Sequence, residues 1–313
     1  MSIASTNDDI PVSIILNVMG LRELAVYGFR SWLLQDYDRP YEVLLNLFAP
    51  CRNLFDPLVE GKNSNATVSV FQYETPAFFN VSAANNLGLH KSRGRHVMFA
   101  NADIIYPGAF LQRAMFELSE RNICYAVAAR CNMTAKQTQD VHRKTPLQYT
   151  TADRFGHLAG MELVEGAYNM AALSPWMIRR DVAFAIGGFD PKVMTAEDRD
   201  LDYRLLHYLR RRNLQQATVS FCNLYGYHQY HESTGVYNAI FDARAIMEPR
   251  ARRLDADPQS TEDCVPTPLD DFAALVRQMQ DSKAPPAANQ YRRDWRGKVR
   301  RRAKRVWNAL TGP

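Results

Sequence analysis

Three short stretches of this 313-residue chain carry side chains able to do chemistry. Val97-Met-Phe-Ala100 has the composition of a buried strand and runs straight into Asn101-Ala-Asp103. A carboxylate at the carboxyl end of such a strand stands at the crevice where α/β sheets bind ligands, and it can hold a divalent cation. Thr195-Ala-Glu197-Asp198 opens a helical stretch. The dipole at a helix N-terminus favours negative charge, so Asp198 is expected to stay ionised and to accept a proton. Gly226-Tyr-His228-Gln-Tyr-His231 follows a strand and offers two imidazoles. Taken singly, each stretch has an ordinary reading. Asn and Asp after a strand make turns, Thr195 and Asp198 fit the N-cap and N3 positions of a capping box, and lone histidines are usually structural. Their order along the chain is the informative feature.

The elements that must position these groups follow from periodicity. Pro11–Val18 is apolar enough for a strand buried on both faces. Leu21–Gln35 reads as a helix with Leu24, Phe29, Trp32 and Leu33 as its apolar positions. Tyr41–Phe48 and Thr67–Tyr73 read as strands, the latter with Val and Ser alternating at period two. Val81–Arg93 is helical in pattern, His96–Ala100 a short buried strand, Gly108–Glu120 a helix and Ile123–Ala129 a strand. Thr134–Met170 is polar and reads as loops. Ala171–Ser174 and a helix over Arg179–Ile186 resume order, with Gly187-Gly188 as a helix C-cap. A helix over Ala196–Arg211 and a strand over Thr218–Asn223 complete the core. Gln259–Pro268 and Ser282–Ala287 read as linkers around a helix over Leu269–Met279. Strands alternating with helices predict an α/β layered, mostly parallel sheet flanked by helices.

Composition narrows the class. Hydrophobic residues make up 46% and charged residues 23%, which excludes a disordered or collagen-like chain. The five cysteines form neither a CxxC pair nor a zinc-spaced cluster and read as reduced thiols. The formal charge of +5 is carried by a tail, since residues 292–305 hold nine Lys/Arg against one Asp. The body is net acidic, so no nucleic-acid partner is expected. The start, MSIASTNDDIPVS, lacks a signal-peptide pattern, and no apolar run reaches the ~18–20 residues of a bilayer span, so a cytoplasmic location is expected. There is no GxGxxG and no GxxxxGK[ST], which removes the Rossmann dehydrogenases and P-loop NTPases.

What remains is an ordered set: Asn85-Asn86-Leu-Gly88, Ser92-Arg-Gly94, Asn101-Ala-Asp103, Ile186-Gly-Gly-Phe-Asp190, Glu197-Asp198-Arg-Asp-Leu-Asp-Tyr-Arg204, then His228 and His231. Over roughly Val12–His231 it resembles glycosyltransferase family 2 and the related galactosyltransferase-like pattern on the GT-A fold. The resemblance implies transfer of a sugar, with inversion, from a nucleoside-diphosphate sugar (a UDP-sugar first) to an acceptor hydroxyl, with Mn²⁺ or Mg²⁺ as cofactor. By position it makes Asp103 the metal ligand, with His228 or His231 as its partner. Asp198 becomes the general base and Glu197 an acceptor-binding group. Asn17, Arg22, Asn86, Lys91 and Asn101 join Asp103 as donor contacts. Asp200 and Asp202 are expected as ordinary surface charges. Two departures stand out: Asn101 replaces the first Asp of the family's DxD, and Asn46-Leu-Phe-Ala-Pro50 stands where an acidic turn touches the nucleoside.

The resulting layout is a GT-A domain over residues 1–245, with a donor half to about 130 and an acceptor half from 131. A helical extension with linkers covers 246–287, and a basic amphipathic tail covers 288–313. In the tail Trp295, Val299, Ala303, Val306 and Leu310 share a stripe at about 100° per residue, the pattern of a helix lying on an anionic membrane surface. Such a tail would hold the protein peripherally at the inner face, near a saccharide or lipid-linked saccharide acceptor in surface-polysaccharide assembly. Two alternatives stay open: a nucleotidyltransferase, and a GT-A-like binding module that has lost catalysis. Asn101 and the missing acidic turn favour the latter.

Overall fold

The computed structural model describes residues 10–20, 22–120, 122–144, 175–194, 197–214, 218–231 and 239–283. The basic tail, Thr195, Ala171–Ser174 and most of the polar Thr134–Met170 stretch lie outside the described residues. In chain order the elements are β1 (Val12–Val18), α1 (Arg22–Leu33), β2 (Tyr41–Leu47), α2 (Asp56–Val59), β3 (Ala66–Gln72), α3 (Val81–Lys91), β4 (His96–Ala100) and β5 (Ile104–Ile105). There follow α4 (Phe110–Glu120), β6 (Tyr125–Asn132), α5 (Ala135–Lys144), β7 (Trp176–Arg179), α6 (Arg180–Ala185) and α7 (Glu197–Arg211). The chain then forms β8 (Thr218–His228), α8 (Ala239–Ala256) and α9 (Phe272–Gln280).

The strands form one mixed sheet in the order β3-β2-β1-β4-β7-β6-β8-β5. The first four are mutually parallel, β7 runs antiparallel between β4 and β6, and β6 pairs parallel with β8. Strand order reverses at β1, with β2 on one side and β4 on the other. The carboxyl ends of β1 and β4 therefore flank the switch point, where a crevice opens in sheets of this kind.

Both faces of β1 are covered, as its apolar run predicts. Ile14, Leu16 and Val18 pack with Phe29 and Trp32 of α1 and with Phe110, Leu111 and Met115 of α4. Ile15 faces the other way, into Ala83, Ala84 and Leu87 of α3, Leu201, Leu205 and Leu209 of α7, and Leu275 and Met279 of α9. The C-terminal helices thus close one face of the sheet.

Several local expectations are corrected. Strand β8 runs on to His228, because its far end pairs with both β6 and β5. Within Thr134–Met170 the described part contains α5, capped by Thr134 Oγ1, which accepts from Gln137 N–H. Gln259–Pro268 is no loose linker: Asp263 is fully buried and takes Arg211 and His207 as partners, and Val265 N–H donates to the Ile186 carbonyl. Gly187 and Gly188, with φ of 74° and 64°, do end α6, as a C-cap requires.

Asp200 is the sharpest correction. It is 1% exposed and sits inside an ion lattice. Its Oδ2 accepts from Arg204 Nε at 2.7 Å, while Arg250 of α8 bonds both Asp200 and Asp190. Fully buried Arg204 also donates to the carbonyls of Ile186 and Gly188. Removing one member strands a charge in the interior, so Asp200→Ala should lower the unfolding free energy by ~3–5 kcal/mol in a urea titration. A loss under ~0.5 kcal/mol would mean a surface acid.

Candidate functional site

Asp103 lies in the turn between β4 and β5. The antiparallel pairing of β5 with β8 sets Ile104 opposite His228, which brings the end of a distant strand against the turn. His228 Nε2 lies 3.2 Å from Asp103 Oδ2, and His231 Nε2 lies 3.1 Å from the same oxygen. Both histidines therefore converge, where the sequence left a choice between them. Close packing fixes the turn from behind: a Cβ on Gly28 of α1 would overlap the Ala102 carbonyl, and one on Gly226 would collide with Ile104 and Tyr106. Burial raises the Asp103 pKa, but hydrogen bonds from the two imidazoles outweigh it and hold the carboxyl well below the usual range.

Asp103 of this cluster borders a cleft of about 500 Å³ at the switch point. Asn17 and Gly20 line it from the end of β1, Asn101 and Asp103 from the end of β4, Val81 and Asn85 from the start of α3, and Glu197 from the start of α7. Phe79, Phe99 and Trp176 supply apolar walls. No Lys or Arg is among the described residues that line it. A larger hollow of roughly 700 Å³ is bordered by Lys192, Arg277 and Lys283, and its described lining residues include no histidine.

Three asparagines form a relay at the cleft floor. Asn46 Nδ2 donates to Asn17 Oδ1 at 2.9 Å, and Asn17 Nδ2 donates to Asn85 Oδ1 at 2.7 Å. The parallel register that pairs Asn17 with Asn46 and the start of α3 above them build it. Nothing local in the sequence marks Asn46 or Asn85 as members of this relay, since Asn46 reaches Asn17 only through strand register and Asn85 only through the packing of α3.

Other expected contacts sit elsewhere. Asn86 is fully buried and spends both amide atoms on the backbone of Phe189, which anchors the Gly187–Asp190 turn. Lys91, at the far end of α3, lies over the Phe272 ring at 3.8 Å. Arg22 is exposed, with its charge acting on the Cys51 thiol. None of these three lines the cleft.

The two acids of α7 differ in setting. Glu197 lines the cleft, while Asp198 accepts from the Arg199 N–H and feels the charge of Arg130. Burial raises both pKa values, against the expectation that the helix terminus alone keeps Asp198 low. For Glu197 burial, then the Asp198 charge, push it to about 8. Both shifts point the same way, so the pair resists losing its last proton. Asp202, expected at the surface, bonds the Tyr125 hydroxyl and is raised to about 6, chiefly by burial.

The raised Glu197 makes a signed prediction. A carboxyl whose folded pKa exceeds its unfolded value stabilises the fold at low pH and loses that contribution as pH rises through about 8. Glu197→Gln, neutral throughout, should therefore melt higher than the parent above about pH 8, with the gap closing toward about pH 5. Parallel melting curves across that range would remove the shared proton.

No protein-family model matches the sequence, and no curated protein matches it. Solved structures do match its fold. The 1–349 fragment of S. aureus TarS in complex with UDP superposes with a TM-score of 0.50 at 14% identity, over 81% of this chain and 70% of that one. A longer S. aureus TarS structure gives 0.49 at 12% identity over 77% of this chain, which spans only 39% of the TarS chain. The mannosyltransferase PcManGT from Pyrobaculum calidifontis, in complex with GDP-Man and Mn²⁺, gives 0.48 at 12% identity, over 96% and 83% of the two chains. The TarS fragment's likeness and the strand order together give this chain a GT-A-like α/β fold.

Proposed function

We propose that the chain is a metal-dependent glycosyltransferase that moves a sugar from a nucleoside-diphosphate sugar to an acceptor hydroxyl, with inversion. One observation carries the reading. The cleft at the switch point has the Asp103–His228–His231 cluster at its edge and no cationic side chain among its described lining residues. A diphosphate carries negative charge, and where the described lining offers no Lys or Arg, a cation held by the cluster would neutralise it.

The cluster fits such an ion. One carboxylate oxygen and two imidazole nitrogens lie within 4.8 Å of one another. Two imidazoles suit a first-row transition ion better than Mg²⁺, which prefers an oxygen cage, so Mn²⁺ is the better match. A bound metal would supply positive charge against the diphosphate as the leaving group takes up charge. The chain's own groups do the rest. The asparagine relay ends on Asn85 at the cleft wall and offers neutral polar contacts to the donor. Phe79, Phe99 and Trp176 exclude water from it. Glu197, holding its proton at neutral pH, donates a hydrogen bond to the acceptor, and Asp198 removes the hydroxyl proton.

UDP is the first donor nucleotide to test, on the sequence resemblance and on the fold likeness to the UDP-bound TarS fragment. Asp103→Ala should abolish the Mn²⁺-dependent part of the thermal shift produced by UDP. A metal-dependent shift that survives the substitution rejects Asp103 as ligand. Asp198→Asn should keep that shift and lose ~10²–10⁴-fold in turnover, measured as sugar release from a donor panel with and without manganese. Normal turnover leaves Asp198 as a capping residue, and binding without turnover of any donor by the parent protein would make it a binding module.

Attachment to a membrane surface rests on the tail sequence alone. No helix among the described residues is long and apolar enough to cross a membrane. Deleting residues 288–313 should abolish co-sedimentation with anionic liposomes, and undiminished binding at matched salt rejects the anchor.

A further inference from the structure

His228 and His231 are three residues apart, an odd spacing. In a continuing strand, successive side chains alternate between faces, so two residues three apart point to opposite sides. Strand β8 ends at His228, and the chain turns so that both rings reach one oxygen of Asp103. Gln229, which stands between them, is completely buried.

Gln229 is tied on three sides. Its backbone N–H donates to the Asp103 carbonyl at 3.0 Å. Its side-chain Nε2 donates to that same carbonyl at 3.1 Å and to the Leu24 carbonyl of α1 at 2.9 Å. Two carbonyl partners fix the orientation of the amide, because only the NH₂ end can serve both. Its Oε1 must then accept, and it lies 2.6 Å from His142 Nε2 of α5, which therefore carries the proton. His142 is itself stacked on Tyr27 of α1, with ring centroids 3.7 Å apart and planes 2° from parallel. One residue on, Tyr230 N–H donates to Thr138 Oγ1, also on α5.

We propose that Gln229 is the positioning residue of the Asp103 site. Its amide, clamped between α1 and α5, turns the end of β8 so that a His-x-x-His spacing presents both imidazoles to one carboxylate. Neither Gln229 nor His142 touches the proposed ion; they act through the geometry of the histidines and of the Asp103 backbone. Groups that orient the ligands of a metal site are typically worth ~10–100-fold in metal affinity.

The proposal rests on the metal reading only for its affinity arm. Gln229→Glu is nearly isosteric but faces two carbonyls with oxygens and loses both donor bonds. In the metal-free full-length chain, the imidazole NMR signals of His228 and His231 should move in this variant. Its Mn²⁺ dissociation constant should rise ~10–100-fold. Should that variant not fold, His142→Phe keeps the ring stack on Tyr27 and removes one bond of the clamp; it should shift the same signals and weaken Mn²⁺ in the same direction. A folded variant with unmoved imidazole signals and Mn²⁺ affinity within ~2-fold of the parent overturns the proposal, since a merely structural glutamine would lower Tm alone. If the parent itself binds no Mn²⁺, the metal reading fails while the imidazole signals still decide this one.

Discussion

A carboxylate can sit against two imidazoles at the end of a buried strand only if the backbone on every side is held. Asp103 is the point through which the two halves of this sheet meet. Its turn leaves β4, beside β1, and enters β5, which pairs with β8 at the opposite edge. The approach of α1 is so close that residue 28 must lack a Cβ, and the approach of β8 makes the same demand at residue 226. Burial alone would raise the pKa of this carboxylate. The two hydrogen bonds from the histidines reverse that tendency and keep the charge, so the site's electrostatics and its packing are one problem.

Among the described residues that line the cleft, Asp103 and Glu197 are the charged side chains. Its floor is a chain of amides, each donating to the next, which leaves polar contact but no net charge. Across the wall, Glu197 is pushed toward the neutral form by burial and by Asp198. In the proposed reading, a donor diphosphate would meet the charge of Asp103 beside two imidazoles able to serve as metal ligands. A cation would, in the proposed reading, bridge protein and phosphate.

Much of this was legible from residue order. The buried strands β1, β2 and β4 were plain because unbroken apolar runs leave little alternative, and Asp103, Glu197 and the two histidines stood out by spacing and by resemblance. What was not legible depended on long-range register. Asn86 matched a motif position, yet its amide serves the Phe189 backbone more than a hundred residues on. Asp200 looked like a solvated helix charge, since nothing local reveals that Arg204 and Arg250 will enclose it. Gln229 had no signal at all beyond lying between two histidines. Pattern readings see periodicity, whereas these roles come from partners that only folding brings near.

The helix α7 shows how one motif carries both duties. At about 100° per residue, Asp200 and Arg204 lie on nearly the same face, while Asp198 and Asp202 lie on the face almost opposite. The first pair turns inward, closes the ion lattice with Asp190 and Arg250, and locks the Gly187–Gly188 turn through its carbonyls. The second pair turns toward Tyr125 and Arg130, with Glu197 one residue before it on the cleft wall. The run of acids in Glu197-Asp198-Arg-Asp-Leu-Asp is therefore two interleaved sets, one closed in the ion lattice and one turned toward Tyr125 and Arg130. The structural set holds the helix rigidly enough that the raised, proton-sharing acids at its start keep their place beside the cleft.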